Sequence, residues 1–370
     1  MFAPRILGLA MACFAAAPAF ALDQGEYQLN GFGTLGLTYL GGEEKGRSYG
    51  INGQTTDSWR FDELPRLGGQ LRYGLTDNTD VTAQVIAKAQ HDSWEVNLEW
   101  LYLSHHVSDR LMLRAGRLRN PVYMYSEALD VGFTYPWIRL PDEVYHQVQI
   151  TNYEGVDFIY TLPLSYGSFS IQANAGQALN RDYFFYDTTE DMDYRNIAGA
   201  SVALATNNFG TLRLSYSEAD LTLDGVLRST LDDVKGKFTS LGYQYDNGTW
   251  ITANEATRLV VEGLIPTKNA FYLMGGRRFG DFLPHLTYAQ LDEQSGGRQV
   301  SWTYGLNYNL LPNVTLKGEY KRVDTSHEAS GVFVKTGEEY FTDLFMKQNF
   351  GIVQPTYDGD IFSIGIDFVF

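Results

Sequence analysis

The chain has 370 residues, with 44 acidic against 28 basic side chains and a net charge of -16. Acidity on this scale, with no stripe of Lys and Arg, excludes nucleic-acid binding. The 25 Tyr, 22 Phe and 6 Trp exclude intrinsic disorder, because so large an apolar mass must be buried in something.

Taken in chain order, the first element is a leader. Arg5 is its lone charge, Ile6 to Ala17 is apolar, and Ala19-Phe20-Ala21 offers the small-x-small pattern that signal peptidases cut. The expectation is an export signal over 1–21 and a single mature domain over 22–370, starting at Leu22. Loss of Arg5 takes the net charge to -17, and loss of Cys13 removes the only cysteine. The mature chain then has no disulfide, no cysteine-based metal site and no thiol nucleophile. No later segment has the roughly 18 consecutive apolar residues of a membrane helix. An exported chain without such an anchor is either soluble or a barrel in an outer membrane.

The rest of the chain alternates with period two. Tyr27 to Tyr39 sets Leu29, Gly31, Gly33, Leu35 and Leu37 against Gln28, Asn30, Thr34 and Thr38. Comparable alternation runs through 66–75, 79–88, 94–107, 110–119, 152–162, 167–177, 195–206, 209–219, 237–246, 248–261, 268–279 and 281–292. It is clearest at 299–310, where Trp302, Tyr304, Leu306, Tyr308 and Leu310 oppose Ser301, Thr303, Gly305, Asn307 and Asn309. After 312–324 the final strand places Phe362, Ile364, Ile366, Phe368 and Phe370 on one face, which completes a set of sixteen strands.

The connections alternate too. Tight-turn residues join alternate pairs: Thr76-Asp77-Asn78, Ser108-Asp109, Asn207-Asn208, Asp246-Asn247-Gly248, Gly280-Asp281 and Pro312-Asn313. The intervening connections 40–65, 120–151, 178–194, 220–236 and 325–358 are long. Short turns at one end, long loops at the other and an even strand count predict an all-β fold, an antiparallel transmembrane β-barrel of sixteen strands. A soluble sandwich predicts neither this alternation nor a polar face where its core should be. Apolar side chains then face lipid and polar ones face water. Tyr39, Tyr73, Trp94, Trp250, Trp302 and Phe370 are placed for two interfacial aromatic girdles.

Sixteen strands enclose a lumen too wide for side chains to fill. One connection is suited to narrow it. The segment 120–151 contains Val122, Tyr123, Met124, Tyr125, Phe133, Trp137 and Ile138, interrupted by Pro121, Pro136 and Pro141. Apolar residues of this kind predict a third external loop that folds inward against the barrel wall.

These features together resemble the general porins of Gram-negative outer membranes. The resemblance covers nearly the whole mature chain as an architecture, through the strand count, the export signal, the long third loop and the terminal Phe370. Gly116-Arg117-Leu118-Arg119-Asn120-Pro121 is similar to the Gly-Arg opening of the third loop in many porin relatives. Such a resemblance implies an inward third loop with acids opposite a basic wall, a homotrimer, and recognition of the terminal Phe by the barrel-assembly machinery. It implies outer-membrane lipid and lipopolysaccharide as surroundings, and small hydrophilic solutes and ions as cargo.

Parity along the strands selects the pore residues. Arg72, Arg114, Arg213 and Lys317 read as inward, whereas Arg117 reads as outward unless the strand bulges at Gly116. On the loop the available acids are Glu127, Asp130, Asp142 and Glu143. Wall bases facing loop acids would set a transverse field across a narrow aqueous gap, which orients dipolar solutes. The same charges are also compatible with simple solvation of a wet lumen.

Other signals carry little. Gly31-Phe32-Gly33-Thr34-Leu35-Gly36 has the letters of a dinucleotide fingerprint but lies inside an alternating strand. Neighbouring His105 and His106 face opposite ways on a strand, and Asp187, Glu190, Asp191 and Asp193 read as a solvated acidic loop, so no metal or other cofactor is expected. No Gly-x-Ser-x-Gly, His-Glu-x-x-His or P-loop pattern supports an enzyme. The reading is a passive diffusion channel with selectivity at the third loop. The alternatives are a substrate-specific channel for small organic acids or a non-channel barrel, either an adhesin or a hydrolase.

Overall fold

The computed structural model describes residues 21–42, 48–49, 54–55, 58–90, 93–185, 188–224, 232–262, 265–294, 296–326, 337–352 and 358–370. The expected leader over 1–21 lies outside the described residues apart from Ala21.

In chain order the strands are β1 (Tyr27–Gly42), the two-residue ladders β2 (Ser48–Tyr49), β3 (Gln54–Thr55) and β4 (Trp59–Arg60), then β5 (Arg66–Thr76), β6 (Thr79–Gln90), β7 (Ser93–Ser108) and β8 (Leu111–Arg119). After the long third connection come β9 (Asn152–Leu164), β10 (Gly167–Phe185), β11 (Thr188–Thr206), β12 (Gly210–Asp224), β13 (Val234–Asp246) and β14 (Trp250–Val261). The last are β15 (Ile265–Arg277), β16 (Phe282–Glu293), β17 (Arg298–Leu311), β18 (Val314–Ser326) and β19 (Gly359–Val369). Each long strand pairs antiparallel with its neighbours, and β1 closes the ring by pairing with β5 through Tyr27 to Thr34 and with β19 through Phe32 to Gly42. β1 and β5–β19 form the sixteen-stranded closed barrel that the alternation predicts. Closure leaves no unpaired edge, which is what permits a sheet to stand in hydrocarbon.

The two faces differ as the pattern requires. Along β17, Trp302, Tyr304 and Leu306 are exposed on the outside, whereas Ser301, Thr303 and Asn307 are buried on the inside. Aromatic rings collect at both ends. Near the long loops, Tyr39 contacts Trp59 at 5.2 Å and Phe362 at 6.4 Å, and Tyr320 continues the belt 4.8 Å from Phe362. Tyr27, Tyr73, Phe209, Trp250, Phe282 and Phe370 stand exposed at the short-turn end. At the seam, Phe368 and Phe370 stack 6.3 Å apart over Gly33 and Gly31, where any Cβ would run into their rings.

The strands differ from expectation at two connections. The stretches 178–194 and 220–236 were expected as long loops, yet β10, β11, β12 and β13 continue into them. The cause is a break in parity. Ladder shifts between Gly176 and Arg181 and between Arg195 and Ala198, with Asn180 and Asn196 each at φ 51°, interrupt the alternation without ending the strands. Within the stretch 325–358, residues 337–350 form the helix α2 (Gly337–Phe350). No helix among the described residues is long and apolar enough to cross a membrane.

Candidate pore constriction

The third connection, 120–151, carries two short 3-10 turns, Ser126–Ala128 and Gly132–Thr134, and one turn of helix, α1 (Asp142–Tyr145). Its rings pack into a small core against the wall. Tyr123 lies 4.7 Å from Tyr145 and 5.1 Å from Phe238 of β13, while Trp137 meets Tyr125 at 5.9 Å and Tyr272 of β15 at 5.4 Å, both edge-on. Each large ring so buried contributes about 1.5–3 kcal/mol relative to exposure. Burial raises the Tyr123, Tyr125 and Tyr145 hydroxyls above their ordinary range, with Glu255 adding to the shift. Burial also pushes Tyr135 up to about 12, with Asp367 adding and Arg66 opposing.

Polar groups on the inner faces of β12 to β19 complete the anchorage. Arg213 donates to the carbonyls of Tyr123 at 2.6 Å and Pro121 at 2.5 Å, and Ser215 to that of Val122 at 2.6 Å. Glu255 accepts from the Met124 amide at 2.9 Å and the Tyr145 hydroxyl at 2.7 Å. Trp137 donates to Thr287 at 2.8 Å, and Asn307 donates to the Pro136 carbonyl at 2.8 Å. Lys317 Nζ lies within 3.0 Å of the carbonyl oxygens of Gly132, Tyr135 and Trp137, and 2.7 Å from Asp367. The Ile138 amide donates to Glu319 at 2.8 Å. These bonds draw on five strands, β12, β14, β16, β17 and β18, and hold the loop along one side of the lumen.

The opposite side is ionic. Arg114 on β8 lies 2.5 Å from Asp157 on β9 and 3.6 Å from Glu127 on the loop. Arg119 at the end of β8 binds the loop's Asp130 at 2.6 Å and lies 3.6 Å from Glu99, and Lys88 stands 3.5 Å from Glu99 and 3.9 Å from Asp130. Burial alone would raise the Asp130 carboxyl, but Arg119, Lys88 and Arg66 outweigh it and hold the group well below the usual carboxylate range.

The residues selected by parity therefore occupy different settings. Arg72 pairs within the wall, 2.6 Å from Asp80. Arg114 also lies 3.6 Å from Glu127 on the loop. Arg213 and Lys317 grip loop carbonyls. Arg117 keeps its outward parity, because the β8–β9 ladder runs through Gly116 without a bulge; it bonds Glu154 at 2.8 Å, which Arg181 also holds at 2.6 Å. Asp142 binds Lys321 at 2.6 Å, and Glu143 accepts from Gln299 at 2.6 Å. The side chain of Glu127 is 40% exposed, against 7% for Asp130, 3% for Asp142 and 0% for Glu143. Among the loop acids, Glu127 is thus the one in contact with solvent.

The wall acids Asp80, Asp157, Glu255, Glu319 and Asp367 were not singled out in the sequence, although parity places each of them inward. Asp157, flanked by the outward Val156 and Phe158, carries the same signal as Arg114. Glu99 lies at a ladder shift in β7 that parity does not reach. His105 bonds Thr79 at 2.9 Å, whereas His106 lies 3.5 Å from Asp80, so the two rings go opposite ways. In the acidic stretch, Asp193 binds Arg195 at 2.9 Å, and Asp187 lies outside the described residues. No group of three or more His, Cys, Asp or Glu is arranged to hold a metal ion among the described residues.

A closed sixteen-stranded barrel with an apolar outside, a polar inside and a wall-bound third loop defines an outer-membrane channel. The Gram-negative porin model matches residues 8–328, and the chain belongs to that family. Solved structures agree at the level of fold. The anion-selective porin from Comamonas acidovorans has a TM-score of 0.62 at 14% identity, covering 94% of this chain and 100% of that one. Salmonella typhi OmpF, in complex with daunomycin, has 0.61 at 15%, covering 94% and 98%. The outer membrane channel DcaP of Acinetobacter baumannii has 0.59 at 12%, covering 95% and 100%. No curated protein matches the chain by sequence.

Proposed function

We propose that this outer-membrane channel passes small hydrophilic solutes and ions by passive diffusion, with a weak cation preference set where Glu127 faces Arg114. The observation that carries the reading is the unequal burial of the four loop acids: three are spent on wall partners and Glu127 remains open to water. The wall bases Arg72 and Arg114 are each neutralised by an adjacent wall acid. Glu127, the most exposed of the loop acids, then dominates the field in the gap. No step of this reading requires catalysis. A homotrimer is proposed by family, and one structural relative, OmpT of Vibrio cholerae, is described in a trimer form.

Proteoliposome swelling tests the permeation claim. Arabinose and glucose are expected to enter at rates that fall smoothly with size and rise linearly with concentration. Saturation by one solute class, such as small dicarboxylates, would favour the substrate-specific alternative.

The domain reading extends this proposal to processing after Ala21. The backbone nitrogen of Leu22 lies 2.9 Å from Asp80 Oδ1, in a cluster with Arg72 and His106, a setting suited to a new α-ammonium. Intact mass of the membrane-extracted protein is expected to correspond to a chain starting at Leu22. A different start would remove that ion pair.

A further inference from the structure

We propose that the external half of the lumen contains a binding cleft for an uncharged amphipathic molecule, with an apolar body and a single O–H or N–H donor head. This goes beyond permeation of hydrophilic solutes and does not depend on conduction.

The inner face changes chemistry at one height on four adjacent strands. Along β12 the inward positions pass from Thr211, Arg213 and Ser215 to Ala219, Leu221 and Leu223; along β14 they pass from Glu255 and Thr257 to Leu259 and Val261. On β11, Ser201 gives way to Ile197, Tyr194 and Met192, and on β13, Ser240 gives way to Phe238. A channel that only conducts water and ions gains nothing from an apolar inner wall, because ordered water against it is unfavourable. Of these side chains Ile197, Leu221, Leu259 and Val261, with Val148 and Ile150 of the loop, line a cleft that opens on one side.

Two polar side chains also line the cleft. Asn120, 4% exposed, has its Oδ1 unpartnered, and Gln147 has its Oε1 unpartnered. The Gln147 amide is fixed, because its Nε2 donates to the Glu143 carbonyl at 2.9 Å and to Thr257 at 3.0 Å. Two buried acceptors without donors call for a donor from a ligand. The charges at the margin are engaged elsewhere: Lys237 binds Glu262 at 2.7 Å, and Glu218 accepts from Tyr216 at 2.7 Å. Neutral acceptors do not compensate the desolvation of an ammonium or carboxylate, so the occupant is uncharged.

The test uses the folded mature barrel in lipid nanodiscs, with 2-phenylethanol as the probe and its methyl ether as the donor-free comparator. Ligand-observed saturation-transfer NMR and calorimetry are referenced to empty discs. Saturable binding of the alcohol is expected, with the ether at least tenfold weaker. Gln147→Leu should reduce that preference to under threefold. Leu221→Gln or the milder Ile197→Thr should weaken both probes about tenfold. A closed, heat-modifiable wild-type barrel that binds neither probe above empty discs would overturn the proposal, as would equal affinity for alcohol and ether. Bilayer conductance, read separately on the same preparation, reports on the channel itself.

Discussion

At the scale of single residues, the candidate constriction contains ion pairs that are costly to break. Arg119 and Asp130 meet at 2.6 Å with both side chains nearly excluded from water. Removing one partner of such a pair costs about 3–5 kcal/mol, because the other charge stays buried. Arg119→Met is therefore expected to lower the free energy of unfolding, measured by urea titration in lipid, by that amount. Asp130 also gives a pH signature with a definite sign. Its carboxyl is held below the ordinary range, so its stabilisation is complete above about pH 5 and is lost as pH falls through the ordinary carboxylate value of about 3.9 toward the lowered one. The stability gap between wild type and Asp130→Asn should be full at pH 6 and shrink steadily on acidification; a gap that is constant with pH would contradict this role. Half of this residue-level chemistry was legible. Parity identified Arg72 and Arg114 as inward, and the same rule reaches Asp80 and Asp157. The carbonyls that Arg213 and Lys317 hold were not legible, since those bonds depend on how an irregular loop folds across a separation of 90 to 185 residues.

At the scale of elements, the third loop is a separately anchored body inside a ladder that closes without it. Lys317 is the densest anchor, with three loop carbonyls and Asp367 around one ammonium. Lys317→Met removes the donor that these oxygens share in a buried site, where an acceptor left unpaired costs about 1–3 kcal/mol. The expected result is a loop cut by trypsin after Arg139, in a barrel that keeps its heat-modifiable mobility. A cut loop at wild-type rate, or a lost barrel, would show that Lys317 does not act through the loop. The strands themselves were read from alternation with good boundaries wherever parity is unbroken. β10 and β11 were cut short because Asn180 and Asn196 shift the register, and a period-two pattern cannot distinguish a bulge from a strand end. Their extensions carry Tyr183, Met192 and Tyr194 of the apolar cleft, which were missed for the same reason.

At the scale of the whole molecule, a net charge of -16 says little about the pore, because bases and acids along the wall are largely matched in pairs. On the proposed reading, selectivity rests on the few charged groups left wet, and Glu127 is the clearest of these. The most direct test is single-channel conductance of the refolded mature protein in a planar bilayer, with reversal potentials under a KCl gradient for wild type and Glu127→Gln. Large ohmic steps are expected, with a reversal potential of cation-selective sign that moves toward anion selectivity in the variant. Silent bilayers containing correctly closed barrels would contradict the diffusion channel, and an unchanged reversal potential in Glu127→Gln would contradict the place assigned to that residue.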